Sequence, residues 1–339
     1  MTTLASHTPS LAKLGRKNMK FAKGIIAALL LSATAMPAWA DYPDRPITLL
    51  VAWGAGGGTD AVARVVAVSL EKELGQSVNV VNRTGGSGVV GHSAMADAEP
   101  DGYTLGLATT EVNLMHWLGL TKLDYKVYTP LALMNQDPAG VQVSADSKYQ
   151  NLGELLEAIK TSPPGTFRAT GSGQGSSWHV AIAGLLNAEG IDASTVTWVP
   201  SDGAASGLQE LLSGGTEIVP SSLVEARALI DAGRVKSLAY MSKERSKLFP
   251  DVPILKEETG SDWEFGAWRG IVAPKGLPDD IRDRLIAALK NVFDSEEYNQ
   301  FMSAQGFGAN FLSGEEFGNF MATNDVNFGK TMKAIGLTK

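Results

Sequence analysis

Short apolar runs alternate with amphipathic stretches along most of this chain, the rhythm of strands and helices in turn that marks α/β proteins. Strands are predicted near residues 47–53, 78–81, 103–108, 139–144, 166–170, 196–199, 217–219, 235–241 and 266–272, with helices between most of them. The helix after the first strand should run over 59–74 and stop at Gly75, a residue suited to a left-handed cap. A long helical region closes the chain over 278–294 and 313–335. No repeat of fixed period and no low-complexity segment interrupts the pattern, and the proline-rich joints at 161–166 and 248–260 read as turns or surface connections.

The N-terminus breaks the rhythm. Lys20 and Lys23 precede an apolar stretch from 24 to 35, and Ala38-Trp39-Ala40 supplies small residues at a cleavage position. That is the layout of a secretory signal, with Met19 the natural start and residues 1–40 removed. The apolar stretch is too short to cross a bilayer, which takes about 20 residues. Losing 1–40 removes five of the 29 basic residues (Lys13, Arg16, Lys17, Lys20, Lys23) and none of the 36 acidic ones, so the mature chain carries 24 against 36, a net charge of −12. Such a charge argues against nucleic acid or an anionic membrane as partner. With no cysteine in the sequence, disulfides, thiolate chemistry and Cys-ligated metals are excluded. A periplasmic location fits an exported, cysteine-free chain, and its 339 residues suffice for two ordinary domains.

Three glycine-rich turns follow predicted strands. In "VAWGAGGGTDAVAR", residues 51–64, four glycines occupy positions 54–58 between a strand and a helix start. No Gly-Lys-Ser/Thr ending follows, so a nucleoside triphosphate is not expected. What remains is a set of unobstructed backbone N–H groups at a helix N-terminus, which suits a carboxylate, unless the glycines only serve a tight turn. "GSGVVG", 86–91, matches the dinucleotide fingerprint literally, with Glu111 about 20 residues on, but it follows a second strand rather than a first and reads as a chance match. "GSGQGSSWH", 171–179, opens a helix near Ser176 and offers serine hydroxyls as a second anion cradle or simply as N-caps.

"YPDRPITLLVAWGAGGGTDAVAR", "NRTGGSGVVG", "PDGYTLGLAT", "LFPDVP" and "WRGIVAPKGLP" together resemble the substrate-binding proteins of tripartite tricarboxylate transporters, the Bug or TctC-like family, in order across the whole mature chain. The resemblance implies a two-lobed type II periplasmic binding protein, or Venus flytrap, of α/β class with two interdomain crossovers. Lobe one would be 41–142 plus 265–339, lobe two 143–264, with the ligand cleft between. It implies a monomeric receptor, without cofactor or metal, that captures a small organic carboxylate and passes it to a membrane permease. By the same resemblance the carboxylate would rest on the first loop, here Trp53, Gly54, Ala55, Gly57, Gly58, Thr59 and Asp60. The second lobe would answer with Ser172, Gly173, Gln174, Gly175 and Ser176, and with Pro200, Ser201, Asp202 and Gly203; Thr110 and Arg269 complete the expected set. Two departures stand out: Trp53-Gly54-Ala55 where the family often has aromatic-proline or Pro-Pro, and Ser201-Asp202-Gly203 where it often has Tyr-Lys-Gly.

An acidic residue facing a ligand carboxylate is costly in a closed cleft, so Asp202 is expected to turn away and cap the helix after Gly203. Asp60 should pair with Arg64 one turn on. Arg269 is the side chain best suited to neutralise the ligand, with a surface ion pair as the alternative. Of Trp53, Trp178, Trp198 and Trp268, one or two lining the cleft would favour an apolar or aromatic acid, and the rest should be core. Two other functions stay open: a receptor for a cationic or zwitterionic molecule, using tryptophans with Asp202, Asp60 and Glu111, and a serine hydrolase built on Ser176, Ser177 and His179, which would lack an evident orienting acid.

Overall fold

The computed structural model describes residues 2–3 and 42–338. The expected signal segment therefore lies almost wholly outside the described residues. Pro43–Lys339 forms one compact unit, and the description below is of that unit.

Six strands form a mixed sheet: β1 (Ile47–Val51), β2 (Val78–Asn82), β3 (Thr104–Thr109), β4 (Tyr128–Pro138), β9 (Gly266–Pro274) and β10 (Ala309–Ser313), in the order β10-β4-β9-β3-β1-β2. β1 pairs in parallel with β2 and β3, as its helical crossovers require, and the remaining pairs are antiparallel. Helix α1 (Gly58–Leu74) supplies the first crossover, burying Val62, Val65, Val66, Ser69 and Leu70 at helical spacing. Gly75 ends it at φ +70, where a side chain would be strained, and its N–H donates to Glu71 O. The turn at Gly86–Gly88 leads into α2 (Val89–Ala96), and a Cβ on Gly91 would lie 2.5 Å from Ala52 Cα. The last glycine of the dinucleotide-like run thus lets helix and strand backbones approach.

The second layer is assembled from short pieces. β5 (Gly140–Ser144) pairs antiparallel with β8 (Val235–Tyr240), and β6 (Phe167–Ala169) pairs in parallel with β7 (Val196–Trp198). Residues 217–219, predicted as a strand, are reduced to bridges that join these pairs: Val219 exchanges backbone bonds with Gln142, and Thr170 N–H donates to Ile218 O. Against this layer pack α3 (Leu152–Thr161) and α4 (Ser177–Ala188), whose Leu155, Ile159, Val180 and Leu185 belong to one buried cluster. α5 (Ala204–Leu212) and α6 (Leu223–Asp231) enclose a smaller one with Val219 and Val235. The short α7 (Leu255–Glu258) precedes the return to β9, after which come α8 (Asp279–Asp294), α9 (Glu296–Gln305) and α10 (Gly314–Ala334). Phe317 near the start of α10 is buried against Trp268 of β9, while Met332 near its end joins the cluster of the second layer. The closing helix therefore holds to both layers.

Two strands escaped the pattern. β4 contains Pro130 and Pro138, which read as breakers, yet it is an eleven-residue strand accommodated by register shifts around Pro130 and Leu133. β10 lies in a stretch for which no strand was predicted. The chain leaves the six-stranded sheet at Pro138, enters the second layer at Gly140 and returns between Phe265 and Gly266. These two passages touch: Ala139 N–H donates to Phe265 O at 2.8 Å.

Candidate functional site

The loops at the ends of β1, β3, β6, β7 and β9 enclose a cavity of about 100 Å³. Of the predicted residues, Trp53, Gly54, Ala55, Gly57, Gly58, Thr59, Ser172, Asp202, Gly203 and Arg269 line it. Asp60, Thr110, Gly173, Gln174, Gly175, Ser176, Pro200 and Ser201 do not line it.

The first loop spends most of its amides internally. Gly54 N–H donates to Asp202 O at 3.1 Å, a backbone bond to the loop after β7. Gly56, at φ +81, donates its N–H to the Asp60 carboxylate at 3.0 Å. Asp60 also receives Asn82 Nδ2 and both Nε and Nη2 of Arg64, as the one-turn spacing predicted. Burial works to raise its pKa, and these bonds outweigh burial and hold it below the ordinary value. Asp60 therefore organises the loop and does not line the cavity. Gly58 N–H, at the start of α1, donates to Glu225 Oε1 at 3.2 Å. A Cβ at Gly58 would stand 2.6 to 2.9 Å from Glu225 and Arg269, so close approach is what demands glycine there. The amide of Gly57 has no partner among the described residues.

Arg269 is 1% exposed, neither a surface ion pair nor a free counter-ion. Its Nε donates to Thr59 Oγ1, Nη1 to Asn135 Oδ1 and Asp137 Oδ2, and Nη2 to Glu225 Oε1 at 3.1 Å. Four of its five N–H bonds are thereby committed. Burial pushes the carboxyls of Asp137 and Glu225 up, and the guanidinium between them pulls both back. Thr59, expected as a hydroxyl donor to ligand, is fixed as acceptor from Arg269 and keeps its own hydrogen free to donate.

The start of α4 is likewise met by a carboxylate of the chain. Glu111, in the turn after β3, receives Ser177 N–H at 2.9 Å together with the hydroxyls of Ser177 and Thr109. Its neighbour Thr110 accepts Trp268 N–H at 2.9 Å and so holds β9 in place. Gly173 and Gly175 are glycine for packing: a Cβ on the first would lie 2.5 Å from Ser87 Cα, and one on the second would meet Leu118. Ser176 Oγ donates to Gly173 O at 2.7 Å, and no serine side chain caps α4. His179 Nδ1 accepts Gly175 N–H at 2.9 Å and its ring stacks on Trp198, and among the described residues no serine hydroxyl bonds to it. From this segment only Gly171, Ser172, Ser177 and Trp178 reach the cavity. The Ser172 hydroxyl is buried without a partner among the described residues.

The third helix start is bare. Ala204, Ala205 and Ser206 open α5 and line the cavity, and the first intrahelical bond is that of Gly207 N–H to Gly203 O. No side chain caps this end. Asp202, expected to do so, stays exposed with its carboxylate unpaired among the described residues, a correction with a geometric cause: Gly203 at φ +136 swings the chain so that Asp202 presents its carbonyl to Gly54. Ser201 N–H donates to Ser172 O, which joins the two loops of the second layer. Trp53, Trp178 and Trp268 line the cavity and Trp198 does not.

Glu225 is the residue that sequence reasoning missed. Ser222-Leu223-Val224-Glu225 has the spacing of a capping box and announces the start of α6. It gives no sign that the carboxylate reaches a different helix 167 positions away.

The chain matches the family model described as "Tripartite tricarboxylate transporter family receptor" over residues 62–337. Among solved structures it resembles a TctC solute-binding protein from Polaromonas, without ligand, at 35% identity and a TM-score of 0.64, over 86% of this chain and 99% of that one. The periplasmic binding protein BugD matches at 27% identity and TM-score 0.82, over 88% and 100%. MatC from Rhodopseudomonas palustris, with bound malate, matches at 25% and 0.78, over 86% and 99%. The fold is thus the two-lobed periplasmic binding protein fold that the sequence blocks implied, and the chain belongs to the TctC-type receptors of the tripartite tricarboxylate transporter family.

Proposed function

We propose that this chain is a periplasmic receptor, exported through residues 1–40, that captures a small organic carboxylate and delivers it to the permease of a tripartite tricarboxylate-type transporter. The observation that carries the reading is the uncapped start of α5, whose first residues line a cavity together with Ser172, a hydroxyl unpaired among the described residues. Helix starts of this kind favour anions by charge and by donor geometry together. The ligand carboxylate sits between these amides, Gly57 N–H and the Thr59 hydroxyl. Malate bound to MatC supports the carboxylate class.

Lobe one comprises residues from 42 to 138 and from about 265 onward, and lobe two lies between, with the bonded pair Ala139 and Phe265 as hinge. The Polaromonas relative, solved without ligand, superposes less well than malate-bound MatC despite its higher identity. A hinge that opens without ligand accounts for that inversion. The bond from Gly175 N–H to His179 Nδ1 supports the receptor reading over the hydrolase one, since that nitrogen takes no part in activating a serine.

The test is a thermal-shift panel of organic acids on the mature chain. A ligand at 100 times its Kd adds about 2.7 kcal/mol, and a flat response across the panel overturns the reading. Small-angle scattering should show compaction with a binding acid, and an unchanged radius of gyration refutes the hinge. A second reading, a zwitterionic ligand, is favoured by the unpaired Asp202 carboxylate beside the cavity; an ammonium acid that binds better than its deaminated counterpart would select it.

A further inference from the structure

The cavity walls hold Glu111, Asp202 and Glu225 but a single cation, Arg269, and Arg269 is already bracketed by Asp137 and Glu225. Two of the three helix starts are filled by carboxylates of the chain itself: Glu225 on α1 and Glu111 on α4. One carboxylate of a ligand takes up the free amides of α5, the Ser172 hydroxyl, Gly57 N–H and the Thr59 hydroxyl. A second finds no unspent cation or helix start among the described residues and meets like charge instead. We propose that Glu225 is a specificity-determining residue, holding the place at the α1 start and Arg269 that the second carboxylate of a diacid would need, so that this receptor takes acids with one carboxylate and no other negative group. The inference rests on the carboxylate reading above and narrows it.

Three features support it independently of charge counting. The Glu225 side chain is 6% exposed, and besides Gly58 and Arg269 it receives the Ser222 hydroxyl at 3.2 Å, so it is built into the wall. Trp53, Trp178, Ala267 and Trp268 supply apolar surface to the same cavity. The volume, about 100 Å³, is less than the roughly 150 Å³ that holds a benzene ring, which suits a short acid. Like charges set against each other across a binding surface cost enough to decide selectivity.

The experiment is calorimetric titration of the mature chain with length-matched pairs, butanoate against succinate and hexanoate against adipate, on wild type and Glu225→Gln. In wild type the monoacid of a pair binds and the diacid is weaker by about tenfold or more. Glu225→Gln, which keeps shape and hydrogen bonding, raises diacid affinity by a similar factor while monoacid affinity moves little. Asp202→Asn removes a carboxylate that has no partner, so it leaves the fold intact and relaxes the discrimination by less. If Glu225→Gln does not fold, the wild-type pairs and Asp202→Asn decide the question. A wild type that prefers the diacid, or variants that leave the ratio unchanged, overturns the inference while the carboxylate reading stands. Binding of no acid of either kind overturns both.

Discussion

The starts of α1 and α5 lie at the two ends of one backbone bond, Gly54 to Asp202, and both follow a glycine turn, yet they differ in what meets their first amides. At α1 a carboxylate from α6 has already arrived, carrying a buried arginine with it. At α5 no side chain of the described residues arrives, and the first residues of the helix line the cavity. The start of α4 sides with α1, with Glu111 on Ser177 and His179 on the Gly175 amide. The difference teaches that a glycine-rich helix start is a capacity for anions, and that a site exists only where the protein leaves this capacity unfilled.

The comparison can be broken most forcefully at the filled end. Arg269→Leu strands Asp137 and Glu225 without their cation, and urea denaturation should show a loss of about 3–5 kcal/mol. A loss well under that would mean the two carboxyls are not held as ions by Arg269. Next in size is the pH response at α4. Burial pushes the His179 imidazole from 6.5 down to about 4, so the fold holds the neutral ring. This stability is present in full above pH 6.5 and is lost as pH falls toward 4, by up to about 3 kcal/mol. His179→Gln should flatten that part of the stability profile, and a profile of unchanged slope counts against the assignment.

The bare end is probed by Ala204→Pro. Proline is tolerated at the first helical position and removes one donor only, so the empty protein should melt nearly unchanged while ligand affinity drops about ten- to a hundredfold. Unaltered affinity in a titration would move the anion site away from α5. Smallest is Thr59→Val, which takes from Arg269 Nε its acceptor and should cost about 1–2 kcal/mol by chemical denaturation. A neutral result would show that Arg269 finds another partner.

Much of the fold was readable because β1, β3 and α1 carry their periodicity in unbroken apolar sets such as Ile47, Leu49 and Val51. β4 was not, because Pro130 is absorbed by a register shift against the neighbouring β9 and Pro138 falls at its last position. At the site, ten expected residues do line the cavity, since the turns that carry them are marked by glycine. The roles of their side chains were less legible. Asp60, Asp202 and Arg269 are each decided by partners remote in sequence: Asn82, Gly54, and the trio Asn135, Asp137 and Glu225. Local spacing records a helix start faithfully, but it carries no information on which distant carboxylate will come to occupy it.

The bond from Gly54 N–H to Asp202 O joins main chain to main chain. Its register survives any exchange of the side chain at position 202. A lineage could therefore retune charge at the cavity mouth by single substitutions there, drifting from one nutrient to another, without relearning how the two halves of the protein meet.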